Sequence, residues 1–110
     1  MMLLFLKYTD AGFNELSQAL VINPKFVPAI RNLGVLYAYR GDIGKAIEEW
    51  KNAILLNPYD VETLLNYGVY MVEQNRNARG MEYLRKAYAL APTNSKVVEG
   101  YKYARSILAR

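Results

Sequence analysis

Residue types able to do chemistry are sparse in this chain. Glu48 and Glu49 form its only adjacent carboxylate pair, and two carboxylates aimed at one bond can divide general acid and base work between them. On a helix, however, neighbouring side chains point roughly 100° apart, so this pair diverges and is expected to be a solvated helix face. The sequence holds no histidine and no cysteine, which removes the usual general base near neutral pH, the commonest metal ligand and the thiol nucleophile. Glycine-rich phosphate loops, metal-ligand spacings and a nucleophile beside a base are absent as well. The expectation is a protein with no enzymatic activity, no metal and no cofactor.

Recognition chemistry remains. Asn32 and Asn66 are one fixed interval apart, 66 − 32 = 34. An amide both donates and accepts, so each can bond a peptide group of an extended ligand or, equally, a neighbouring helix. Arg31 can hold a carboxylate by two parallel bonds or remain a solvated helix charge. Among ten tyrosines, Tyr37, Tyr67 and Tyr101 fall on apolar stripes with Trp50 and are expected in the core, which leaves Tyr39 and Tyr103 as contact candidates.

The same interval organises the elements that position these residues. Prolines stand at 24, 58 and 92, closing the similar runs Ala19-Leu-Val-Ile-Asn-Pro24, Ala53-Ile-Leu-Leu-Asn-Pro58 and Ala87-Tyr-Ala-Leu-Ala-Pro92. A fixed period of this length marks stacked structural units. Between Pro24 and Pro58, apolar residues recur at helical spacing in two blocks: Ile30, Leu33, Leu36, Tyr37 and then Ile43, Ala46, Ile47, Trp50, Ile54. Arg40-Gly41-Asp42 separates them; Gly41 can end the first helix in the left-handed conformation, and Asp42 can cap the second. The next unit predicts helices over 61–74 and 78–90, with Asp60 and Asn77 as caps. Each proline lacks an amide hydrogen and disfavours helix in the residue before it, so it punctuates one unit.

Gly34 and Gly68 each cost about 1 kcal/mol relative to alanine in a helix interior, a cost that close approach of the paired helix offsets. The expected facing residues are Ala46 and Gly80, with Gly12 one period earlier. A last amphipathic helix is expected over 95–109, with Val97, Tyr101, Ala104 and Leu108 on one face. At the front, Thr9 to Ile22 reads as the second helix of a hairpin whose first helix survives only as residues 1–7.

The pattern Ile30-x-x-Leu33-Gly34-x-x-Tyr37, Ala46-x-x-x-Trp50, Pro58 resembles the tetratricopeptide repeat. Leu64-x-x-Tyr67-Gly68-x-x-Met71, Gly80-x-x-x-Leu84, Pro92 is a looser copy, departing at Met71 and Gly80. The resemblance implies an all-α superhelix, or solenoid, of antiparallel helical hairpins in one domain over 1–110. Its parts would be a partial repeat at 1–24, repeats at 25–58 and 59–92, and a capping helix at 93–110. It also implies a concave groove lined by the first helix of each hairpin, where a peptide or helical segment of a partner protein docks. The groove residues would be Arg31, Asn32, Val35 and Tyr39, with Pro28 and Ala38, in one repeat, and Glu62, Leu65, Asn66, Val69, Val72 and Glu73 in the next. Leu4 and Phe5 of the stub and Lys96 and Tyr103 of the last helix would extend them. Glu62 and Glu73 place negative charge on that wall, and Val35 and Val69 take slots where a clamp for an acidic tail wants polar groups, so an amphipathic or mixed apolar segment is the expected ligand.

The chain has 14 Lys+Arg and 10 Asp+Glu in 110 residues. Residues 1–60 carry six of each sign, so the surplus of four lies in residues 61–110, eight basic against four acidic. Spread over helix surfaces, this suits solvated faces better than a nucleic-acid footprint, and nucleic-acid binding through Arg76, Arg79, Arg85, Lys86, Lys102 and Arg105 ranks below a protein partner. The apolar run Met1 to Leu6 is too short to span a bilayer, so membrane insertion is not expected. No targeting segment is visible, which slightly favours the cytoplasm unless the chain lies inside a longer one. Self-association, a homo-oligomer formed through the face of Ala11 to Ile22, is the other alternative.

Overall fold

The computed structural model describes the backbone of residues 2–109 and the side chains of residues 10–109. Six helices follow one another: α1 (Met2–Ile22), α2 (Val27–Tyr39), α3 (Ile43–Leu56), α4 (Val61–Glu73), α5 (Asn77–Leu90) and α6 (Ser95–Leu108). No strand occurs among the described residues. The helix starts at 27, 61 and 95 repeat the interval of the prolines, as do those at 43 and 77. The ends at 22, 56 and 90, and at 39 and 73, keep it too. The period of the sequence is a period of structure, and the fold is all-α and repeated.

Local chemistry sets these boundaries. Asn57, before Pro58, is extended at φ −146° and ψ 94°, and Ala91, before Pro92, has φ −143° and ψ 66°. Proline's ring excludes helical geometry in the preceding residue, so α3 and α5 stop there. Inside the first hairpin, Gly41 has φ +81°. Its N–H donates to the Ala38 carbonyl while the Asp42 N–H donates to the Tyr37 carbonyl, the paired closure made by a left-handed residue just past a helix. Asn75, one period on, repeats it at φ 64°, with Asn75 N–H on the Val72 carbonyl and Arg76 N–H on that of Met71. Asparagine visits this region more readily than most side chains.

Helix entries are less uniform. The Asp60 carboxylate accepts from the Thr63 N–H, and the Asn94 side chain accepts from the Lys96 and Val97 amides. Phe26, the third member of the series, has no acceptor, and α2 instead carries Pro28 in its first turn, where a missing N–H costs nothing. Two expected caps differ. Asp42 occupies the N-cap of α3 without bonding its amides, its carboxylate lying 3.8 Å from Lys45 Nζ. Asn77 is already the first residue of α5, behind Arg76 at the N-cap.

The front of the chain also departs from expectation. In place of a stub and a separate helix, α1 runs unbroken through 21 residues, because Tyr8, Thr9 and Asp10 include neither proline nor glycine to interrupt it. The groove positions assigned to Leu4 and Phe5 lie outside the described side chains.

The contacts form two compact halves that part at the repeat boundary, residues 1–57 and 58–110. In the first, α2 packs on both α1 and α3, and Ala29, Ile30, Leu33, Ala46, Trp50 and Ala53 make the core. A Cβ at Gly34 would stand 2.5 Å from Trp50 Nε1, so this glycine makes room for the indole. Toward α1, Phe13 meets Tyr37 edge-on at 4.9 Å, and the Arg40 guanidinium lies 4.0 Å over the Phe13 ring while pairing with Asp10.

In the second half α4, α5 and α6 all touch one another. Here the expected glycine contact is present: a Cβ on Gly80 would lie 2.8 Å from the Gly68 carbonyl oxygen. Leu64, Tyr67, Met71 and Val72 of α4, Met81, Leu84 and Ala87 of α5, and Val97 and Ala104 of α6 fill the core.

Candidate peptide-binding wall

The candidate wall consists of what each first helix leaves outside its core. On α2 that is Pro28, Asn32 and Tyr39, all exposed, with Val35 half-buried. Their spacing of four, three and four places them on one face. On α4 the same slots hold Glu62 and Glu73, exposed, and Asn66 and Val69, half-buried. On α6 they hold Lys96 and Tyr103, exposed, with Gly100 and Ile107 half-buried. In each case the slots follow one another at the interval of the helices themselves.

Leu65 and Val72 leave the contact set. They are 8% and 0% exposed and already covered by the chain itself. Leu65 occupies the space above Gly100 of α6, where a Cβ would collide with it, and Val72 Cγ2 lies 2.7 Å from where a Gly80 Cβ would sit. The physical reason is that α6 and α5 cover both flanks of α4 and leave only one stripe outside. The equivalent residues on α2, Arg31 and Ala38, are half-buried.

Two wall residues are joined in a way the sequence did not suggest. The Tyr103 hydroxyl donates to the Glu73 carboxylate at 2.8 Å, linking α6 to α4 at one end of the stripe. Val69 sits at the seam between these helices, its Cγ2 3.5 Å from the vacant Cβ position of Gly100. Glu62 and Glu73 flank Asn66 and Val69 about 16 Å apart along α4, and α4 carries no cation. The stripe is therefore acidic at both ends and part-apolar between them.

The adjacent carboxylates diverge. Glu48 is exposed and Glu49 half-buried. Burial first, and then the Glu48 charge, push the Glu49 carboxyl above the ordinary carboxylate range. A raised carboxyl holds its proton more tightly in the folded chain. Its contribution to stability is therefore full below the ordinary carboxylate pKa and is lost as pH rises through the raised value. Glu49→Gln is expected to raise Tm at about pH 7, the gain fading toward about pH 3 where both side chains are neutral. Thermal melts by circular dichroism at the two pH values check this, and a gain that grows on acidification contradicts it.

These features define an all-α protein of helical hairpins repeated at a fixed interval. No protein-family model matches the chain, and no curated protein matches it in sequence. No helix among the described residues is long and apolar enough to cross a membrane.

Proposed function

We propose that the chain is a tetratricopeptide-type interaction module without catalytic activity, which receives a peptide or helical segment of a partner protein along the α4–α6 wall and serves as a scaffold or adaptor. The α2 stripe offers the same slots in the first half. The observation that carries this is the recurrence of one outward stripe, 28-32-35-39, 62-66-69-73 and 96-100-103-107, at the interval of the fold itself. Its mechanism is complementarity: in the second half Val69 buries apolar surface against the partner while Asn66 fixes its register through hydrogen bonds, and in the first half Val35, Tyr39 and Asn32 offer the same chemistry. Glu62 and Glu73 disfavour acidic tails at the wall and favour segments with flanking basic residues.

Capture of a partner from extract of the source cells, followed by affinity measurement on the purified pair, tests the wall. Asn66→Ala is expected to weaken binding by about 0.5–1.5 kcal/mol, and Val69→Glu by at least about 1.4 kcal/mol, a factor of ten, with helicity by circular dichroism unchanged. Unchanged affinity in both variants refutes the assignment. Val21 and Ile22, 82% and 86% exposed at the end of α1, favour a second reading, self-association through α1; a monomeric mass across a dilution series removes it.

A further inference from the structure

In the second half, α5 carries cations that lie off the α4 stripe and are unneutralised. In the first half Arg40 pairs with Asp10, and Lys45 approaches Asp42. Arg76, Arg79, Arg85 and Lys86 form no ion pair among the described residues. Arg79, Tyr83 and Lys86, spaced by four and three, share one face of α5, with about 10 Å of helix between the two cations. Arg76 stands at the N-cap of that helix. Glu82 is the one acid on α5; it lies a turn before Lys86 and does not pair with it.

Arg76 and Arg79 border one recess. Open and about 590 Å³ in volume, it is lined by Asn75, Arg76, Asn77, Ala78 and Arg79. Both guanidinium charges also act on the Tyr67 hydroxyl, drawing down a pKa that burial first, and Tyr83 second, raise. The neighbouring rings are occupied: Tyr83 stacks on Tyr67 at 5.4 Å, and Lys86 Nζ lies over the Tyr59 ring at 5.4 Å. Bases of a single strand would need ring faces to stack on, whereas carboxylates need only the cations, and guanidinium groups bind them bidentately.

We propose that this face of α5 docks an acidic peptide segment, with one carboxylate seated in the recess between Arg76 and Arg79 and another meeting Lys86 a further turn or two along the helix. The face is separate from the α4 wall, carries the opposite charge and stands independently of the function proposed for that wall.

The test is fluorescence anisotropy of the whole chain with a labelled peptide of alternating Glu and Ala, about twelve residues and so long enough to span the cations when extended. The peptide is expected to bind, with affinity falling as salt is raised. Arg79→Glu with Lys86→Glu is expected to weaken it at least about tenfold. Lys102→Glu with Arg105→Glu, the same change of charge placed on α6, leaves it within about twofold. Absence of binding overturns the proposal, as does equal weakening by both pairs, which would mean net charge alone. Tighter binding of an oligothymidine of equal charge would assign the face to nucleic acid instead. If charge reversal lowers helicity, the neutral pair Arg79→Gln, Lys86→Gln gives the same readout, and a loss under about threefold overturns the proposal.

Discussion

Trp50→Ala is expected to cost about 3–5 kcal/mol of stability, the largest loss from any single substitution in the first half. Trp50 is 3% exposed and fills the gap that Gly34 leaves between α2 and α3. Removing the indole opens a cavity whose opposite wall is a glycine, so no side chain on that side can move in to fill it. Domains of this size are stable by about 5–15 kcal/mol in total, so most of the margin would go. The pairing also predicts a reversal of sign. In the parent chain Gly34→Ala drives a Cβ into the indole and destabilises; on the Trp50→Ala background the space is free, and alanine's helix preference makes the same change favourable by up to about 1 kcal/mol. Urea unfolding followed by circular dichroism measures all four corners of this cycle. A loss for Trp50→Ala no larger than that of an average substitution, about 1 kcal/mol, contradicts the packing described. The same sign for Gly34→Ala on both backgrounds contradicts it equally.

The second large effect is at the equivalent slot, 84 − 50 = 34. Leu84 is fully buried, and its Cγ lies 2.9 Å from where a Gly68 Cβ would sit. Leu84→Ala is expected to cost about 2–5 kcal/mol. The loss should rank below that of Trp50→Ala only because fewer atoms are removed, not because the site differs in kind. The exposed neighbours one position on, Lys51 and Arg85, should change stability by no more than about 0.5 kcal/mol when replaced by alanine. That contrast between adjacent residues, reproduced one period apart, is what structural equivalence of the two hairpins requires. A tolerant Leu84 beside a costly Trp50, in the same urea titrations, would break the equivalence.

Much of the architecture could be read from the chain because its punctuation is local chemistry. Pro58 and Pro92 act on the single residue before them, and Gly41 supplies its positive φ from within its own turn. Such signals survive without knowledge of the tertiary partners. The capping residues were harder. Asp42 and Asn77 are good cap types at plausible places, yet a cap also needs the right backbone geometry, and Asp42, at φ −88° and ψ 73°, does not aim its carboxylate at the helix amides. Asn94 was missed although it stands one period after Asp60 and caps its helix in the same way; that equivalence was the available signal.

The wall was legible in part for a similar reason. A single amphipathic stripe identifies the first partner of a helix, so Asn32, Asn66 and Val69 could be placed off the core. A second covering helix leaves no stripe of its own, which is why Leu65 and Val72 looked free until α6 and α5 were seen against them. Gly100 carried the missing hint: a glycine with no turn to make inside a helix marks where another side chain must enter, and here that side chain is Leu65. The Tyr103–Glu73 hydrogen bond joins positions whose separation is not the repeat interval, so no repeat argument points to it.

The central claim, that the stripe on the first helices receives another polypeptide, is tested most directly by photo-crosslinking in the source cells. A photoreactive phenylalanine analogue replaces Glu62, exposed on the wall, in one sample and Lys102, exposed on α6 outside the stripe, in another. The account predicts a discrete adduct with a partner protein from position 62 and none from position 102. No adduct at 62, or the same adduct from both positions, would contradict it.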